Sequence, residues 1–381
     1  MTITTIEDLR QLYQKRVPKM FYDYTAGGSW TESTLSANET ELQKIKFRQR
    51  VGINIANRNV KTSVFGNEIT MPVILSPVGM IGMQHADGEI LAAQAAEEFG
   101  VPFCLSTMSI CSIEQVAACT NKPFWFQLYV IRDKEFTQRL LDRAKQAGCT
   151  ALVITLDCQI SSQRHRDAKN GLTIPPKLTL SNIFNIASKP RWALEMLTAS
   201  SLTFGNIAGH ADGADSLTSI SQWTNSQFDP GLTWEDVRWI MNRWDGKIII
   251  KGIMDPEDAR IAVEIGADAI VVSNHGGRQL DGAPSTIEVL PDIVRVAGDE
   301  IEVWVDSGFR SGQDVLRALA LGADKVMIGR PYVYGVGAMG KTGVTKALEI
   351  IKTELDLTMA FCGINDVNNV SSNILYQKDN K

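Results

Sequence analysis

One short motif recurs along this chain: an amphipathic helix ends at a glycine, and an apolar strand begins a few residues later. Glycine suits the left-handed backbone conformation that closes a helix. The motif occurs four times, with its glycines at Gly100, Gly148, Gly266 and Gly322. Repeated helix–strand units of this kind predict a parallel sheet whose two faces are both covered by helices.

Four further apolar segments bring the number of predicted strands to eight. The predicted strands are 73–76, 103–106, 125–128, 152–155, 248–251, 270–272, 303–306 and 326–328. Eight strand–helix units over roughly 260 residues match a (β/α)8 barrel, or TIM barrel. An open, doubly wound sheet is the alternative, although it usually has fewer strands. We therefore predict one α/β domain over residues 1–381, with the barrel at about 70–335.

Two segments lie outside the predicted repeat. Residues 1–65 precede the first barrel strand and include a short predicted helix near 6–14. A long insertion, residues 166–236, separates the fourth strand from the fifth and mixes apolar and aromatic side chains with lysine and arginine. A loop of this length is usually functional or disordered.

The composition excludes several classes of protein. Lys+Arg 38 against Asp+Glu 43 gives a formal net charge of -5, which does not favour nucleic-acid binding. The cysteines form no C-x-x-C pair, so we expect reduced thiols and no structural metal. The N-terminus lacks the order of a signal peptide, and no stretch reaches the roughly 18 apolar residues that cross a bilayer. We therefore predict a cytoplasmic protein.

Polar or glycine-containing segments follow the predicted strands at their carboxyl ends. In a barrel these ends meet at one mouth, where catalytic groups lie. The strand-end residues are Pro77, Val78, Gly79, Ser106, Gln127, Tyr129, Thr155, Asp157, Lys251, Ser273, His275, Asp306, Gly329 and Arg330. Packing alone does not explain polar groups at so many strand ends, so we predict a functional site at this mouth.

The segment 273–282, SNHGGRQLDG, directly follows an apolar strand and carries the clearest chemical signal. His275, at a strand end among glycines, is the candidate general base, and a structural histidine is the alternative. Arg278 can offer two parallel donors to a carboxylate, and Arg164 could supply a second positive group. Ordinary surface ion pairs are the alternative for both arginines. The segment predicts a site that removes a proton from a small organic acid.

Two further charged residues follow predicted strands. Asp157 could orient His275 and stabilise its protonated form, as in a catalytic triad, although a structural hydrogen bond explains it nearly as well. Lys251 would direct a cation into the barrel mouth. There it could form a Schiff base, hold a substrate anion, or stabilise negative charge on a reduced ring. These three roles for Lys251 stay open at this point.

The last two strands are each followed by a loop that contains glycine and arginine. The first loop carries Asp306, Gly308 and Arg310, and the second carries Gly329 and Arg330. Barrels often bind phosphate here through backbone amides and a helix N-terminus, although tight turns alone could also require the glycines. The chain has no G-x-G-x-x-G after its first strand and no Walker-type loop. A mononucleotide cofactor is therefore predicted.

In these motifs the chain resembles the FMN-dependent α-hydroxy acid dehydrogenases and oxidases, and among them the bacterial membrane-associated L-lactate dehydrogenases. The resemblance runs from about Pro18 to Met359, and segment 273–282 is highly specific for the family. It implies FMN-dependent oxidation of an L-2-hydroxy acid, such as L-lactate to pyruvate, with electrons passed to a respiratory quinone or another acceptor. One alternative is an oxidase that makes hydrogen peroxide, and another is a non-catalytic flavin-binding module.

The resemblance also implies a role for each site residue. His275 resembles the base and Asp157 its partner, Arg278 and Arg164 resemble the carboxylate clamp, and Tyr24 and Tyr129 resemble the tyrosines that contact substrate. The implied flavin-ring and ribityl contacts are Pro77, Val78, Gly79, Ser106, Gln127, Thr155, Lys251 and Ser273. The implied ribityl and phosphate contacts are Asp306, Gly308, Arg310, Gly329 and Arg330. Lys251 would then stabilise the anionic reduced flavin.

The electron acceptor and the surroundings follow from the same resemblance. Gly79 is similar to the glycine of bacterial lactate and mandelate dehydrogenases, which use quinone, whereas plant glycolate oxidases carry alanine there. Residues 174–228 would form an apolar, partly basic flap on the cytoplasmic face of the inner membrane. A lid that packs on its own barrel or on a neighbouring subunit is the alternative. Relatives are commonly homotetramers, so we expect the same assembly here.

Overall fold

The computed structural model describes residues 2–172, 177, 179–210, 223 and 226–376. A short antiparallel hairpin, β1 (Thr62–Val64) and β2 (Asn67–Ile69), precedes an eight-stranded parallel sheet. The strands of that sheet are β3 (Val73–Leu75), β4 (Cys104–Ser106), β5 (Trp125–Tyr129), β6 (Ala151–Thr155), β7 (Lys247–Ile253), β8 (Ala269–Val272), β9 (Glu302–Val305) and β10 (Lys325–Ile328). Each predicted strand coincides with one of them.

The eight strands form a nearly closed barrel, which confirms the predicted (β/α)8 fold over an open sheet. The hydrogen-bonded order is β3-β10-β9-β8-β7-β6-β5-β4. One parallel bridge, between Leu75 and Phe103, joins β3 to β4 across the seam. The amide of Leu75 donates there to the carbonyl oxygen of Pro102 at 2.9 Å. The carboxyl ends of all eight strands therefore surround one mouth.

Helices cover the barrel and form the segments around it. The helices are Ile6–Arg16, Lys19–Ala26, Ser33–Lys44, Gly88–Phe99, Ile113–Ala118, Lys134–Gln146, His165–Lys169, Leu180–Ala187, Pro190–Met196, Trp234–Met241, Pro256–Glu264, Thr286–Ala297, Gly312–Ala320, Arg330–Met339 and Lys341–Cys362. Short 3-10 turns occupy Ile81–Met83, Val367–Asn369 and Ser372–Ile374. The four glycines of the repeated motif all have positive φ, from 78° to 99°, as the motif predicts.

Aromatic rings fill the barrel interior at the end opposite the mouth. Trp125, the first residue of β5, stacks on Trp304 with ring centroids 5.6 Å apart. Phe65, in the turn of the β1–β2 hairpin, packs on Trp304 at 5.5 Å. Trp125 and Trp304 are buried and Phe65 is partly buried, so these rings close the amino end of the barrel and leave the carboxyl end for a ligand.

The described part of the long insertion includes two helices, Leu180–Ala187 and Pro190–Met196. Trp192 anchors the second helix, since its Nε1 donates to the carbonyl oxygen of Met83 at 3.0 Å. Residues 173–176, 178, 211–222 and 224–225 lie outside the described residues, and with them a large part of the predicted flap 174–228. In the part of the chain that the structure describes, no helix is both long and apolar enough for a bilayer span.

Candidate active site

A cavity of about 1170 Å³ opens at the carboxyl ends of the barrel strands. The predicted site residues that line it are Tyr24, Pro77, Val78, Gly79, Gln127, Tyr129, Thr155, Arg164, Lys251, His275, Arg278, Asp306, Gly308, Arg310, Gly329 and Arg330. Three further predicted residues stand behind this lining and hydrogen-bond to residues in it: Ser106, Asp157 and Ser273. Ser106 Oγ, for example, donates to Gln127 Oε1 at 3.1 Å. The barrel therefore gathers residues that are far apart in the sequence around one space.

The loop after β8 turns His275 toward β6 through unusual backbone geometry. His275 has φ 58°, followed by 68° at Gly276 and 70° at Gly277. This left-handed conformation costs a residue with a side chain roughly 1 kcal/mol or more, so the surroundings must hold it. The amide of Gly276 donates to Ser307 Oγ at 2.9 Å, and the amide of His275 donates to Ser273 Oγ at 3.2 Å. The turn is thus fixed from two neighbouring strand ends.

His275 meets the predicted partner: its Nδ1 lies 2.9 Å from Asp157 Oδ1. A bulge in β7 makes room for this carboxylate. The strand runs past its predicted end at Lys251 to Ile253, and its pairing register shifts between these residues. Gly252, in the bulge, has φ 106°, and a Cβ there would lie 2.9 Å from the Cβ of Asp157. Only glycine allows this close approach of β7 to Asp157.

Burial and nearby charges set the protonation of the pair. Burial lowers the pKa of His275 below its ordinary value, and Lys251 and Arg164 act in the same direction against Asp157. Burial alone would raise the pKa of Asp157, but the imidazole and Lys251 lower it. At neutral pH the pair is therefore a carboxylate that accepts a hydrogen bond from Nδ1 of a neutral imidazole. The other ring nitrogen, Nε2, is then free to accept a proton.

Lys251 is a buried cation in the cavity wall. Its Nζ donates to Ser273 Oγ at 2.7 Å and forms an ion pair with Asp306 Oδ2 at 3.0 Å. Burial alone would lower the pKa of Lys251, yet Asp306 and Asp157 raise it above its ordinary value. A Schiff base requires a neutral amine. The sequence left three roles open for Lys251. Holding a substrate anion and stabilising negative charge on a reduced ring both need a fixed positive charge, so these two roles are favoured over a Schiff base.

The two predicted clamp arginines lie together beside Tyr24. The guanidinium of Arg278 stacks over the Tyr24 ring, 4.7 Å from its centroid, and its Nη1 donates to the carbonyl oxygens of Tyr24 and Gly27. Among the described residues, its Nε and Nη2 have no hydrogen-bond partner. Arg164 Nε lies 3.4 Å from the carbonyl oxygen of Arg278. This leaves one edge of Arg278 available for a carboxylate in the cavity.

The predicted phosphate loops differ in what their arginines do. The side chain of Arg330 donates to the carbonyl oxygens of Thr25, Gly276 and Gly27 at 2.9–3.0 Å. It therefore ties the N-terminal segment to the His275 loop. The group that Arg330 can offer a phosphate is its backbone amide at the start of the helix Arg330–Met339. Arg310 forms an ion pair with Glu39 at 2.7 Å and still lines the cavity.

Several buried polar atoms along the cavity have no partner. Among the described residues they include Ser76 Oγ, Gln127 Nε2 and Thr155 Oγ1. Each such atom costs roughly 1–3 kcal/mol when it stays unsatisfied, so a native structure normally supplies a partner. With the cation of Lys251 nearby and backbone amides at the final loops, the wall suits a flat, polar ring that carries a phosphate tail.

Three residues to which the sequence analysis gave no role also shape the site. Gln279 Nε2 donates to the carbonyl oxygen of Asp157 at 2.7 Å and links the loops after β6 and β8. Ser307 Oγ accepts from Gly276 and donates to Asp306. Cys158 lies in the cavity wall, with Sγ 3.3 Å from Asp157 Oδ1. Gln279 and Ser307 lie within loops that the sequence marked.

Known proteins resemble this chain in both sequence and architecture over nearly their full length. The family model for FMN-dependent dehydrogenase matches residues 13–377. The chain is 43% identical over 380 residues to an L-lactate dehydrogenase of Caulobacter sp. (strain K31), with 100% of each chain covered. The crystal structure of the monotopic membrane protein (S)-mandelate dehydrogenase superposes with a TM-score of 0.94 at 35% identity, over 99% of this chain and 100% of that one. Mandelate oxidase with (S)-4-hydroxymandelic acid superposes with a TM-score of 0.84 at 35% identity, over 99% of each chain.

Proposed function

Since this chain belongs to the family of FMN-dependent dehydrogenases, we propose that it oxidises L-lactate to pyruvate, with FMN bound at the barrel mouth. The observation that carries the substrate assignment is the His275–Asp157 pair beside the free edge of Arg278 in one cavity. A base next to a carboxylate-binding guanidinium suits a small 2-hydroxy acid. L-lactate is also the substrate in the name of the Caulobacter relative.

The cavity suits FMN because its wall offers the groups that this cofactor needs. Gln127 and Thr155 have buried unpaired atoms that the polar edge of the ring can satisfy. Lys251 supplies positive charge for the reduced ring, and the backbone of Gly329 and Arg330 would hold the phosphate. When bound, FMN supplies the acceptor for the two electrons that leave the substrate.

The chain's own residues would bind the acid and move its proton. Arg278 and Arg164 bind the carboxylate, and Tyr129 donates a hydrogen bond, since burial raises the pKa of its hydroxyl well above the ordinary value. His275 Nε2 accepts one proton from the substrate, and Asp157 stabilises the resulting imidazolium. Oxidation of L-lactate to pyruvate removes two protons and two electrons in total, and His275 retains one of these protons.

Anaerobic addition of L-lactate to the yellow holoprotein tests the proposed reaction. We expect the colour of oxidised flavin to disappear with L-lactate and to persist with D-lactate, because the base and the clamp address one face of the acid. Glycolate, mandelate and longer L-2-hydroxy acids rank the preference. If the oxidised spectrum survives every one of these acids, the chain is a flavin-binding module and the enzymatic proposal fails.

We also propose a membrane quinone as the electron acceptor. The support is the similarity to proteins named dehydrogenases, one of them monotopic. A mandelate oxidase has the same 35% identity but superposes with a TM-score of 0.84, against 0.94 for the monotopic dehydrogenase. Gly79 lets the cavity wall pack closely, since a Cβ there would lie only 3.1 Å from Met108 Cβ and 3.4 Å from Tyr24 Oη. Reduced holoprotein mixed with air should reoxidise slowly, and fast reoxidation with hydrogen peroxide release would identify an oxidase.

The helices Leu180–Ala187 and Pro190–Met196 are the surface that we propose for peripheral contact with the cytoplasmic face of the inner membrane. Leu180 and Phe184 are each 75% exposed and lie one helical turn apart, on the same face. Arg191, whose side chain is 77% exposed, stands nearby, where it can meet anionic headgroups. An exposed apolar face next to basic side chains is typical of helices that lie in a membrane surface.

Replacing Phe184 with serine should weaken vesicle binding about tenfold or more, because transfer of a phenyl ring from water contributes roughly 1.5–3 kcal/mol. Co-sedimentation with phosphatidylglycerol-containing vesicles measures this. Tyr376→Ser is the matched control, since Tyr376 is an aromatic residue that is 61% exposed and lies outside these helices. Equal loss in both variants, or no loss in either, would place the membrane contact elsewhere.

We propose a homotetramer as the assembly of this chain. Exposed apolar side chains on the final long helix, including Leu357 and Phe361, support a further protein contact there. Sedimentation equilibrium of the detergent-free holoprotein decides the matter, and a monomer mass at micromolar concentration would contradict the proposal.

A further inference from the structure

Three side chains of types that commonly bind metals lie close together at the wall of the cavity: Asp157, Cys158 and His275. Cys158 Sγ lies 3.6 Å from His275 Nδ1 and 3.3 Å from Asp157 Oδ1. Asp157 Oδ1 lies 2.9 Å from His275 Nδ1. Thiolate, imidazole and carboxylate are the ligand types that Zn²⁺ selects.

The separations of these atoms suit a tetrahedral ion. With Zn–S about 2.3 Å and Zn–N or Zn–O about 2.0–2.1 Å, neighbouring ligand atoms in a tetrahedron stand about 3.3–3.5 Å apart. One observed separation (3.3 Å) lies within this range, one (2.9 Å) lies below it and one (3.6 Å) lies just above it, so small side-chain rotations would admit the ion. Among the described residues, Asp157 Oδ2 is moreover buried without a hydrogen-bond partner. A cation held by both oxygens of this carboxylate would give Oδ2 the partner that it lacks.

The surroundings of the cluster allow the ion to enter. Cys158 and His275 line the cavity, which leaves the fourth ligand position open to water or to a small anion. Lys251 and Arg164 place positive charge nearby. A thiolate and a carboxylate together neutralise Zn²⁺, so the occupied site is itself neutral beside these cations.

We propose that Zn²⁺ binds to Asp157, Cys158 and His275 and thereby inhibits this protein. Binding breaks the Sγ–H bond of Cys158, forms the Sγ–Zn bond and releases the proton to solvent. It also places the metal on Nδ1 of His275, so that the proton of the neutral ring must sit on Nε2. Nε2 then cannot accept a proton. The inhibitory consequence rests on the proposed role of His275 as the base, whereas the metal site itself does not.

Calorimetric titration of the holoprotein with Zn²⁺ tests the site without any turnover. We expect one ion to bind per chain with a micromolar dissociation constant, and Cys158→Ala to weaken binding at least tenfold. Cys119→Ser is the matched control, because Cys119 is an exposed thiol outside the cavity. Absence of binding at submillimolar Zn²⁺, or equal binding by Cys158→Ala, would overturn the proposal.

The rate of anaerobic flavin reduction by L-lactate tests the inhibition, with each variant compared with its own zinc-free rate. Zn²⁺ should slow the wild-type protein and Cys119→Ser alike, and a chelator should restore both. Cys158→Ala should need at least tenfold more Zn²⁺ for the same inhibition. Tight binding that leaves the rate unchanged would overturn the inhibitory role. If L-lactate does not reduce the flavin even without Zn²⁺, the proposed function fails, and calorimetry still decides the metal site.

Discussion

His275→Gln should retain FMN but reduce the flavin with L-lactate roughly 10²–10⁴-fold more slowly than the wild-type protein, the range that general-base catalysis contributes. Glutamine preserves much of the size and polarity of the side chain, yet its amide does not accept a proton. Nδ1 of His275 also holds the ring on Asp157 at 2.9 Å. The substitution therefore removes the base and its alignment together.

Anaerobic stopped-flow measurement of flavin reduction checks this expectation, with flavin content determined for each protein. His210→Gln is the control, since His210 is an exposed histidine outside the cavity. Near-normal reduction in His275→Gln would remove His275 from the mechanism.

The pH dependence gives a second measurement on the same pair of proteins. The neutral imidazole is the active form, and burial lowers its pKa. The wild-type rate should therefore hold as the pH falls toward the ordinary histidine pKa of about 6.5 and decline only below it. The residual rate of His275→Gln should lack this decline.

Arg278→Lys should raise the apparent dissociation constant for L-lactate by about tenfold to a hundredfold. An ammonium cannot present two parallel donors to a carboxylate, and a lost charge-assisted hydrogen bond costs roughly 1.5–3 kcal/mol. The lysine would also lose the stacking of Arg278 over Tyr24. The dependence of the anaerobic reduction rate on L-lactate concentration provides the measurement.

Arg243→Lys is the matched control for this substitution. Arg243 stacks on Trp239 with its guanidinium carbon 3.9 Å from the ring centroid and donates to the carbonyl oxygen of the same residue at 3.0 Å. It makes the same kinds of contact as Arg278 but lies outside the cavity. An unchanged dissociation constant in Arg278→Lys, or an equal increase in Arg243→Lys, would argue against the clamp.

Local sequence patterns were sufficient to predict the barrel and most of the cavity lining. Each strand is an apolar run that ends in a polar or glycine-rich loop, and eight such units over roughly 260 residues match a closed barrel, whose strand ends meet at one mouth. The predicted partnership of His275 and Asp157 is present in the structure at 2.9 Å. The chemistry of residues at strand ends was therefore readable because the fold fixes where those ends meet.

The features that the sequence did not reveal depend on contacts between distant segments. Gly252 lay inside an apolar run, and nothing local showed that Asp157 would press against it. Nothing local showed that the side chain of Arg330 would bind carbonyl oxygens from the N-terminal segment and the His275 loop. The sequence likewise did not show that Cys158, which follows β6, would lie beside His275, which follows β8. Packing across the barrel determines such contacts, and no periodic pattern in the sequence indicates them.

The three carbonyl oxygens that Arg330 binds belong to the main chain, so this connection does not depend on which side chains surround it. Tyr24 can therefore be replaced by other amino acids while the N-terminal segment that carries it stays bound to the His275 loop. A library aimed at bulkier or longer acids should vary position 24 and leave position 330 unchanged.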